Sequence, residues 1–380
     1  MDSDNLDMEV SNDDNVSYFS FSDEELSLEE KDEFITDVIR SKNEYLISKG
    51  YLIDDNGQLI APNNKIKDGV IGFAVADALG VPVEFSSRSK LDKEPLKNMI
   101  GFGTHLVPEG TWSDDTSMML ATMDSIIENN IIDYDDMMRK FYEWLEDAKY
   151  TALDTNFDIG ITTKNAILRY KNGVDSLMCG AIDKKSNGNG SLMRMLPIAY
   201  YLYNNNYDIS YEVEIINNVS SLTHSHEISR LGCKIYVDYV KLLLDGVDKF
   251  DAFNRLIEID YAEYYTREII DEYRRILSGD IVNLSRDEIK SSGYVVDTLE
   301  ASLWSFLNTD NYKDAVLTAI NLGGDTDTIG AITGSMGGIV YGGKQIPREW
   351  LYKLKKRDYI NDMCKKFVDC LKNDKVIKHR

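Results

Sequence analysis

Four aspartates occur in two short clusters, each followed by an apolar run typical of a helix. The clusters are Ser-Asp-Asp-Thr at positions 113–116 and Asp-Thr-Asp-Thr at positions 325–328. Ser113 is a good N-cap and acids in a first helical turn complement the helix dipole, so two unrelated helix caps would explain both clusters. If the fold brings the clusters together, their carboxylates repel one another unless cations lie between them. Oxygen ligands without Cys or His favour Mg²⁺, Mn²⁺ or Ca²⁺.

Two further segments place glycine or acidic residues next to an apolar helical run. Residues 186–194, Ser-Asn-Gly-Asn-Gly-Ser-Leu-Met-Arg, form a glycine-bearing loop that enters a helix. Such loops let backbone N–H groups approach phosphates, although an ordinary turn between helices explains the same residues. The apolar stretch from Asp68 to Phe85 contains Asp77 and Glu84. An acid in that position could be a helix cap or a paired core carboxylate, so neither segment identifies a site by itself.

The charge distribution excludes several classes of function. Lys and Arg number 42 against 65 Asp and Glu, a net charge of -23, which repels nucleic acid and anionic lipid. Thirteen acids and one lysine lie among the first 34 residues, so residues 1–41 are predicted to be an acidic, disordered tail with at most a short helix. The sequence shows no secretory signal or membrane-spanning segment. We therefore expect a cytoplasmic monomer that binds neither nucleic acid nor membrane.

Helical periodicity dominates the rest of the chain. Apolar residues recur at spacings of three and four, which predict buried helical faces, in residues 133–146, 231–244, 261–277, 295–307, 312–322 and 350–371. A β-hairpin is predicted where residues 51–53 and 58–60 flank Asp-Asp-Asn-Gly. We predict one all-α domain over residues 65–371. A short helix and the hairpin precede it over residues 42–64, and a basic tail follows over residues 372–380.

Six segments occur in an order that resembles the ADP-ribosylglycohydrolase family, including the dinitrogenase-reductase-activating glycohydrolases. The resemblance extends from about Asp68 to Gly343 and rests on GFAVADALGVPVEF, GTWSDDTSMML, FDIGITTKNAIL, GNGSLMRMLPIA, THSHE and GGDTDTIGAITGSMGGIVYG. Each motif alone is modest, but six in one order are highly specific. The resemblance implies an all-α fold that binds two divalent cations, Mg²⁺ or Mn²⁺, in a central cleft where they contact the ribose.

The resemblance also implies roles for individual residues. It assigns the metal shell to Ser113, Asp114, Asp115, Asp325, Asp327 and Thr328. It assigns the loop that cradles the diphosphate to Ser186, Asn187, Gly188, Asn189, Gly190 and Ser191. It also places His224 near the substrate, whereas His226 is expected to be a helix-start or surface residue.

The chain departs from the family pattern at two positions. Ser113 stands where Thr is common, and both residues supply a hydroxyl oxygen. Ala76 stands where Gly is usual. The extra methyl of Ala76 matters only if two backbones pack closely there.

Two carboxylates compete for the chemical step. Glu84 matches a glutamate that is catalytic in some family members, and Asp158 matches an aspartate assigned as the base in bacterial arginine-specific members. Glycosidic cleavage passes through an oxocarbenium-like state and needs a carboxylate to activate water or assist the leaving group. Asp158 could alternatively cap a helix over residues 159–170, and Glu84 could be structural.

The resemblance implies a divalent-metal-dependent hydrolase that removes ADP-ribose from a modified protein side chain or cleaves a related ADP-ribosyl compound. The FDIG segment slightly favours arginine as the modified residue. Two rivals stay open: a catalytically silent, crystallin-like structural relative, and a module that binds ADP-ribose without cleaving it. Retention of the four aspartates argues against the silent relative. The binding module would need the glycine-bearing loop but neither Glu84 nor Asp158.

Overall fold

Helices form almost all of the regular structure in this computed structural model. It describes residues 52–53, 59–60, 62–205 and 207–377, with side chains described for 65–205 and 207–372. The predicted tail at 1–41 and the short helix predicted ahead of the hairpin lie outside the described residues. The described residues belong to one compact unit, Leu52–Arg380, and the prediction of an all-α domain is confirmed. None of the described helices is long and apolar enough to cross a membrane.

The α-helices of the described chain run in order through the whole domain. They are α1 (Pro62–Gly80), α2 (Arg88–Lys93), α3 (Asp114–Asn129), α4 (Tyr134–Asp147), α5 (Ile161–Lys171), α6 (Leu196–Asn204), α7 (Ile209–Ser221), α8 (Glu227–Leu244), α9 (Lys249–Ile257), α10 (Arg267–Glu272), α11 (Arg274–Leu277), α12 (Val295–Leu307), α13 (Tyr312–Ile320), α14 (Thr326–Tyr341), α15 (Arg348–Lys353) and α16 (Arg357–Ile377). Predicted helices at 133–146, 231–244, 295–307 and 312–322 correspond to α4, α8, α12 and α13.

Short 3₁₀ helices and one strand pair complete the described elements. The 3₁₀ helices lie at Val81–Val83, Ser176–Met178, Asn189–Arg194, Tyr261–Glu263, Asp280–Asn283, Arg286–Glu288 and Gly343–Gln345. Strands β1 (Leu52–Ile53) and β2 (Leu59–Ile60) pair antiparallel, with Leu52 opposite Ile60 and Ile53 opposite Leu59. The turn predicted between them, at residues 54–57, lies outside the described residues.

The helix predicted over residues 350–371 is interrupted. The structure divides this segment between α15 and α16, with Lys356 in a left-handed conformation at φ 48°. Lys355 donates its backbone N–H to the Gly110 carbonyl at 2.9 Å, and its own carbonyl accepts the indole N–H of Trp112 at 3.0 Å. These contacts replace helical hydrogen bonds. Local periodicity does not reveal them, because they involve residues that are distant in the sequence. α16 continues to Ile377 and so enters the segment predicted as a basic tail.

The helix predicted over residues 261–277 is also divided. A 3₁₀ helix at Tyr261–Glu263 is followed by α10 and α11, which are separated by Tyr273. The hydroxyl of buried Tyr273 donates to the carbonyl of Ile228 in α8 at 2.7 Å. This hydrogen bond holds the residue between α10 and α11 against α8, which is distant in the sequence.

Helices α1 and α14 pack antiparallel with their backbones in close approach. A Cβ added at Gly72 would lie 2.4 Å from the Gly334 carbonyl oxygen, and one added at Gly334 would lie 2.5 Å from the methyl of Ala76. The Ala76 methyl therefore lies in a tight contact and fits there because position 334 is glycine. A Cβ added at Gly80 would lie 2.4 Å from Asp327 Cα. The end of α1 thus lies directly against the second aspartate cluster.

Gly334→Ala should destabilise the protein because the new methyl has no space between α1 and α14. We expect the free energy of unfolding to fall by about 1–3 kcal/mol, the range for overpacking a dense interior, seen as a lower midpoint in urea denaturation. Gly160→Ala is the matched control. Its φ of −60° suits alanine, and a Cβ there meets only Thr163 Oγ1, at 3.8 Å. Equal losses in the two variants would contradict the close packing.

Candidate active site

The two aspartate clusters meet where α3 and α14 begin. The Thr328 hydroxyl donates to Asp115 Oδ1 at 3.3 Å. Carboxyl oxygens form two close groups, and within each group the three oxygens lie within 4.8 Å of one another. One group comes from Asp77, Asp115 and Asp327, and the other from Glu84, Asp325 and Asp327. Ser113 Oγ caps α3 by accepting the Asp115 N–H, whereas Asp325, at the N-cap of α14, makes no capping hydrogen bond. Helix capping alone therefore does not explain the second cluster.

Buried Asp77 holds the start of α3 in place. It projects from α1 and accepts hydrogen bonds from the backbone N–H groups of Ser113 (2.9 Å) and Thr116 (3.1 Å), and from the Thr116 hydroxyl (2.5 Å). Burial raises the pKa of Asp77 to about 6, although these hydrogen bonds favour the ionised carboxylate. Asp77 thus links α1 to the first aspartate cluster through these hydrogen bonds.

The clustered oxygens fit a hard divalent cation. Two buried carboxyl oxygens, Asp115 Oδ2 and Asp325 Oδ1, have no hydrogen-bond partner among the described residues, and a buried polar atom without a partner is costly. Burial, followed by repulsion from neighbouring carboxylates, raises the pKa values of Asp114, Asp115 and Asp327. A cation among these oxygens would supply the missing partner and stabilise the ionised aspartates. An all-oxygen donor set selects Mg²⁺, Mn²⁺ or Ca²⁺.

In a chelating buffer, the protein should lose stability as the pH rises above about 4 and through the folded pKa of Asp77, about 6. Burial raises the pKa values of Asp77, Asp115 and Asp327 above those of the unfolded chain. Folding therefore takes up protons, and stability falls as the pH passes from the unfolded value, about 4, towards the folded values. Saturating Mg²⁺ should flatten this slope because a cation favours the ionised carboxylates. Melting temperatures across the pH range measure both slopes, and identical slopes would contradict a cation site.

The loop at residues 186–191 is held by its own buried side chains. Asn189 donates its side-chain amide to Asp325 Oδ2 at 2.9 Å. Asn187 Oδ1 accepts the backbone N–H (3.2 Å) and the hydroxyl (2.9 Å) of Ser229 near the start of α8. Ser191 is fully buried. Only the first residue of the loop and its two glycines are partly exposed, whereas the side chains of Asn187, Asn189 and Ser191 are buried.

His224 lies against the glycines of this loop in its neutral form. Burial, with a smaller effect of Arg194, lowers the pKa of His224 to about 3. Arg194 Nη1 donates to Thr223 Oγ1 at 2.9 Å, and Thr223 Oγ1 lies 2.7 Å from His224 Nδ1. Because Thr223 accepts from Arg194, its own hydroxyl proton can be donated to Nδ1, which leaves the ring proton on Nε2. A Cβ at Gly188 would lie 3.5 Å from Nε2, so this donor faces the loop.

Glu84 and Asp158, the candidate catalytic carboxylates, both lie next to His105. His105 Nε2 hydrogen-bonds Glu84 Oε2 and lies 3.8 Å from Asp158 Oδ2. Burial, followed by the charge of Asp158, raises the pKa of Glu84 to about 11. α5 begins at Ile161 with Gly160 as its N-cap and without a side-chain cap. The alternative in which Asp158 caps this helix is therefore wrong.

Sequence reasoning misses His105. It stands alone in the loop GFGTHLVPEG, which follows no helical or strand period and matches no motif. The loop brings it against residues that are 21 and 53 positions away in the sequence. The one local signal is its position shortly before the first aspartate cluster, which does not distinguish a site residue from a surface histidine.

Comparison with known proteins identifies the family. A sequence profile of ADP-ribosylglycohydrolases matches residues 59–375. An ADP-ribosylarginine hydrolase of Serratia proteamaculans (strain 568) is 32% identical over 332 residues, 85% of this chain and 83% of that protein. The ADP-ribosyl dinitrogen reductase glycohydrolase of Rhodospirillum rubrum is 28% identical over 289 residues, 75% and 88% of the two chains. A solved ADP-ribosylglycohydrolase-related protein complex has a TM-score of 0.69 at 26% identity, covering 82% of this chain and 99% of that chain. The chain therefore belongs to the ADP-ribosylglycohydrolase family.

Proposed function

We propose that the protein is a divalent-metal-dependent hydrolase that removes ADP-ribose from arginine side chains of modified proteins. Two cations, Mg²⁺ or Mn²⁺, would be held by Ser113, Asp114, Asp115, Asp325, Asp327 and Thr328. The observation that carries the proposal is the convergence of the two aspartate clusters. Asp115 and Asp325 each bring to this point a buried oxygen that has no partner in the described part of the chain, and Asn189 ties the glycine-bearing loop to it.

The names of similar proteins support the arginine linkage and a protein substrate. The Serratia relative is named an ADP-ribosylarginine hydrolase. The Rhodospirillum relative is named for ADP-ribosylated dinitrogen reductase, which is a modified protein. Both names favour an ADP-ribosylated protein over a free ADP-ribosyl compound as the substrate of this chain.

The proposed reaction breaks the bond between C1 of the ribose and a guanidinium nitrogen. Water supplies the hydroxyl group to C1 and its proton goes to the leaving nitrogen, which yields ADP-ribose and unmodified arginine. Bound cations would orient the ribose hydroxyls and lower the pKa of a water molecule. Glu84 and Asp158 would move the protons, because glycosidic cleavage needs a carboxylate beside the reacting carbon.

The loop and His224 would hold the diphosphate. Backbone N–H groups at a glycine-bearing helix start bind phosphate oxygens, and the Nε2–H of neutral His224 adds a donor on the same side. A Cβ added at Gly190 would lie 2.9 Å from His224 Cε1 and 2.8 Å from Thr163 Oγ1. Glycine at position 190 therefore lets the loop approach His224.

Release of labelled ADP-ribose tests the proposed function. The protein is incubated with Arg-linked and Ser-linked substrates in Mg²⁺, in Mn²⁺ and in chelator, and ADP-ribose affinity is measured by calorimetry. We expect release from the Arg-linked substrate that is faster than from the Ser-linked one and stops in chelator. Binding without release would favour the binding module, and neither binding nor release would indicate the silent relative. Each of these two outcomes would overturn the proposal.

A further inference from the structure

His105 contacts both candidate catalytic carboxylates. Its Nε2 atom hydrogen-bonds Glu84 Oε2 and lies 3.8 Å from Asp158 Oδ2. The His105 side chain is 15% exposed and that of Glu84 is 5% exposed. Among the described residues, no other Lys, Arg or His side chain lies within 4.0 Å of either carboxylate. His105 is therefore placed to fix how the two carboxyl groups face each other.

The loop that carries His105 is hydrogen-bonded to the backbone carbonyls of Pro82 and Glu84. Thr104 donates its backbone N–H to the Pro82 carbonyl at 3.0 Å, and its hydroxyl donates to the Glu84 carbonyl at 2.7 Å. A Cβ added at Gly103 would lie 1.8 Å from the Pro82 carbonyl oxygen, so only glycine permits this approach. The His105 ring and the Glu84 carboxyl are thus held by two adjoining backbones.

The residues flanking the two carboxylates also enclose the imidazole ring. The ring centroid of His105 lies 5.2 Å from that of Phe157 and 6.2 Å from that of Phe85. Phe157 precedes Asp158 and Phe85 follows Glu84 in the sequence. Phe85 and Asp158 have left-handed backbones, with φ of 59° and 55°. This conformation is unfavourable for phenylalanine, whereas aspartate adopts it more readily, and it is frequent at functional sites. The chain accepts this strain where it brings the three polar groups together.

We propose that His105 is a positioning residue that orients the Glu84 carboxyl group for the reaction. The contact between Nε2 and Oε2 fixes the orientation of the Glu84 carboxyl group, and an oxygen of Asp158 lies within 4.8 Å of both groups. The inference rests on the proposed function for its kinetic consequence. The contact itself can be measured without any activity.

Replacement of His105 should lower turnover without weakening binding. We expect His105→Phe to reduce kcat for ADP-ribose release from the Arg-linked substrate by about 10- to 100-fold, the usual effect of losing an outer hydrogen bond to a site residue. KM and the calorimetric ADP-ribose affinity should stay within about twofold of the native values. The melting temperature should stay within a few degrees of that of the native protein. His105→Gln retains a donor and should recover most of the turnover. A lower kcat with unchanged KM, ADP-ribose affinity and melting temperature distinguishes a positioning role from general structural support.

A double-mutant cycle tests whether His105 acts through Glu84. In the Glu84→Gln background, His105→Phe should change kcat by less than about twofold, because two residues that act as a unit are not additive. His226→Asn is the matched control. His226 caps α8 by accepting the Ile228 N–H at 3.2 Å, as expected for a helix-start residue, and asparagine is also a good N-cap. This variant should have native turnover.

NMR of the labelled imidazole tests the contact independently of catalysis. The His105 ring signals should move on Glu84→Gln and remain unchanged on Asp358→Asn, where the side chain is 96% exposed. Unmoved ring signals, native kcat in His105→Phe, or an undiminished effect in the Glu84→Gln background would each overturn the role of His105. If the native protein releases no ADP-ribose, the proposed function fails, and the NMR result alone decides whether the His105–Glu84 contact exists.

Discussion

Asp325→Asn and Asp115→Asn should each abolish metal-dependent release of ADP-ribose. Each aspartate has one buried oxygen with no hydrogen-bond partner among the residues that the structure describes, and the amide keeps the size of the side chain while removing its charge. Loss of a bound cation would remove several kcal/mol of transition-state stabilisation, so kcat/KM should fall by about 100-fold or more. Asp325→Asn should also weaken the hydrogen bond from Asn189 that holds the loop, and we expect it to be the more damaging substitution.

Thermal unfolding measures the same site without a substrate. A ligand that binds only the folded protein stabilises it by mass action, by about 2.7 kcal/mol at a concentration 100 times its Kd. Mg²⁺ or Mn²⁺ should therefore raise the melting temperature of the native protein and of the exposed control Asp358→Asn, and should not raise that of Asp325→Asn. If chelation changes neither the melting temperature nor the activity of the native protein, the metal proposal fails.

Local sequence chemistry predicts well where α3 and α14 begin. It does not predict that the two helix starts lie together in the fold. Ser113 caps α3 as its type and position predict. The meeting depends on contacts between distant residues, such as Asp77 with the start of α3 and Gly80 with the start of α14. The close approach of Gly72 and Gly334 sets this geometry. Periodicity identifies which helical faces are buried, but it does not say which helix lies against which.

The loop at 186–191 shows how far the resemblance to the family extends. The resemblance assigns this loop to the diphosphate, and the structure places it beside the second aspartate cluster, where Asn189 donates to Asp325. The resemblance does not reveal that Asn187 and Asn189 turn into the protein, where their amides meet the hydrogen-bonding needs of Ser229 and Asp325. Such orientations follow from buried polar groups finding partners, which requires the three-dimensional arrangement.

His105 marks the limit of sequence reasoning at the site itself. Its role depends on the approach of Gly103 to Pro82 and on the left-handed backbone of Phe85. Neither feature has a sequence signature, since phenylalanine rarely adopts positive φ. The position of His105 next to Glu84 therefore follows only from the folded chain.

Glu84→Gln and Asp158→Asn should separate the two candidate catalytic carboxylates. Both changes preserve approximate size while removing the charge and the ability to accept a proton. A residue that acts only in the transition state should lose turnover with little change in ADP-ribose affinity, whereas one that holds a cation or substrate should lose affinity as well. Glu84 is the more buried of the two and shares a group of oxygens with Asp325 and Asp327, so affinity for Mn²⁺ must be measured alongside kcat.

We expect Glu84→Gln to lose turnover on every substrate and Asp158→Asn to lose more turnover on arginine-linked than on ester-linked ADP-ribose. An amine-type leaving group makes greater demands on proton transfer than an ester oxygen does, and a carboxylate that moves this proton is therefore needed most for the arginine linkage. Both substrates should be compared at saturating metal, with kcat and calorimetric ADP-ribose affinity measured for each variant. If both variants bind ADP-ribose and retain near-native turnover, neither carboxylate moves the proton. The catalytic group must then be sought among the other groups at the clusters.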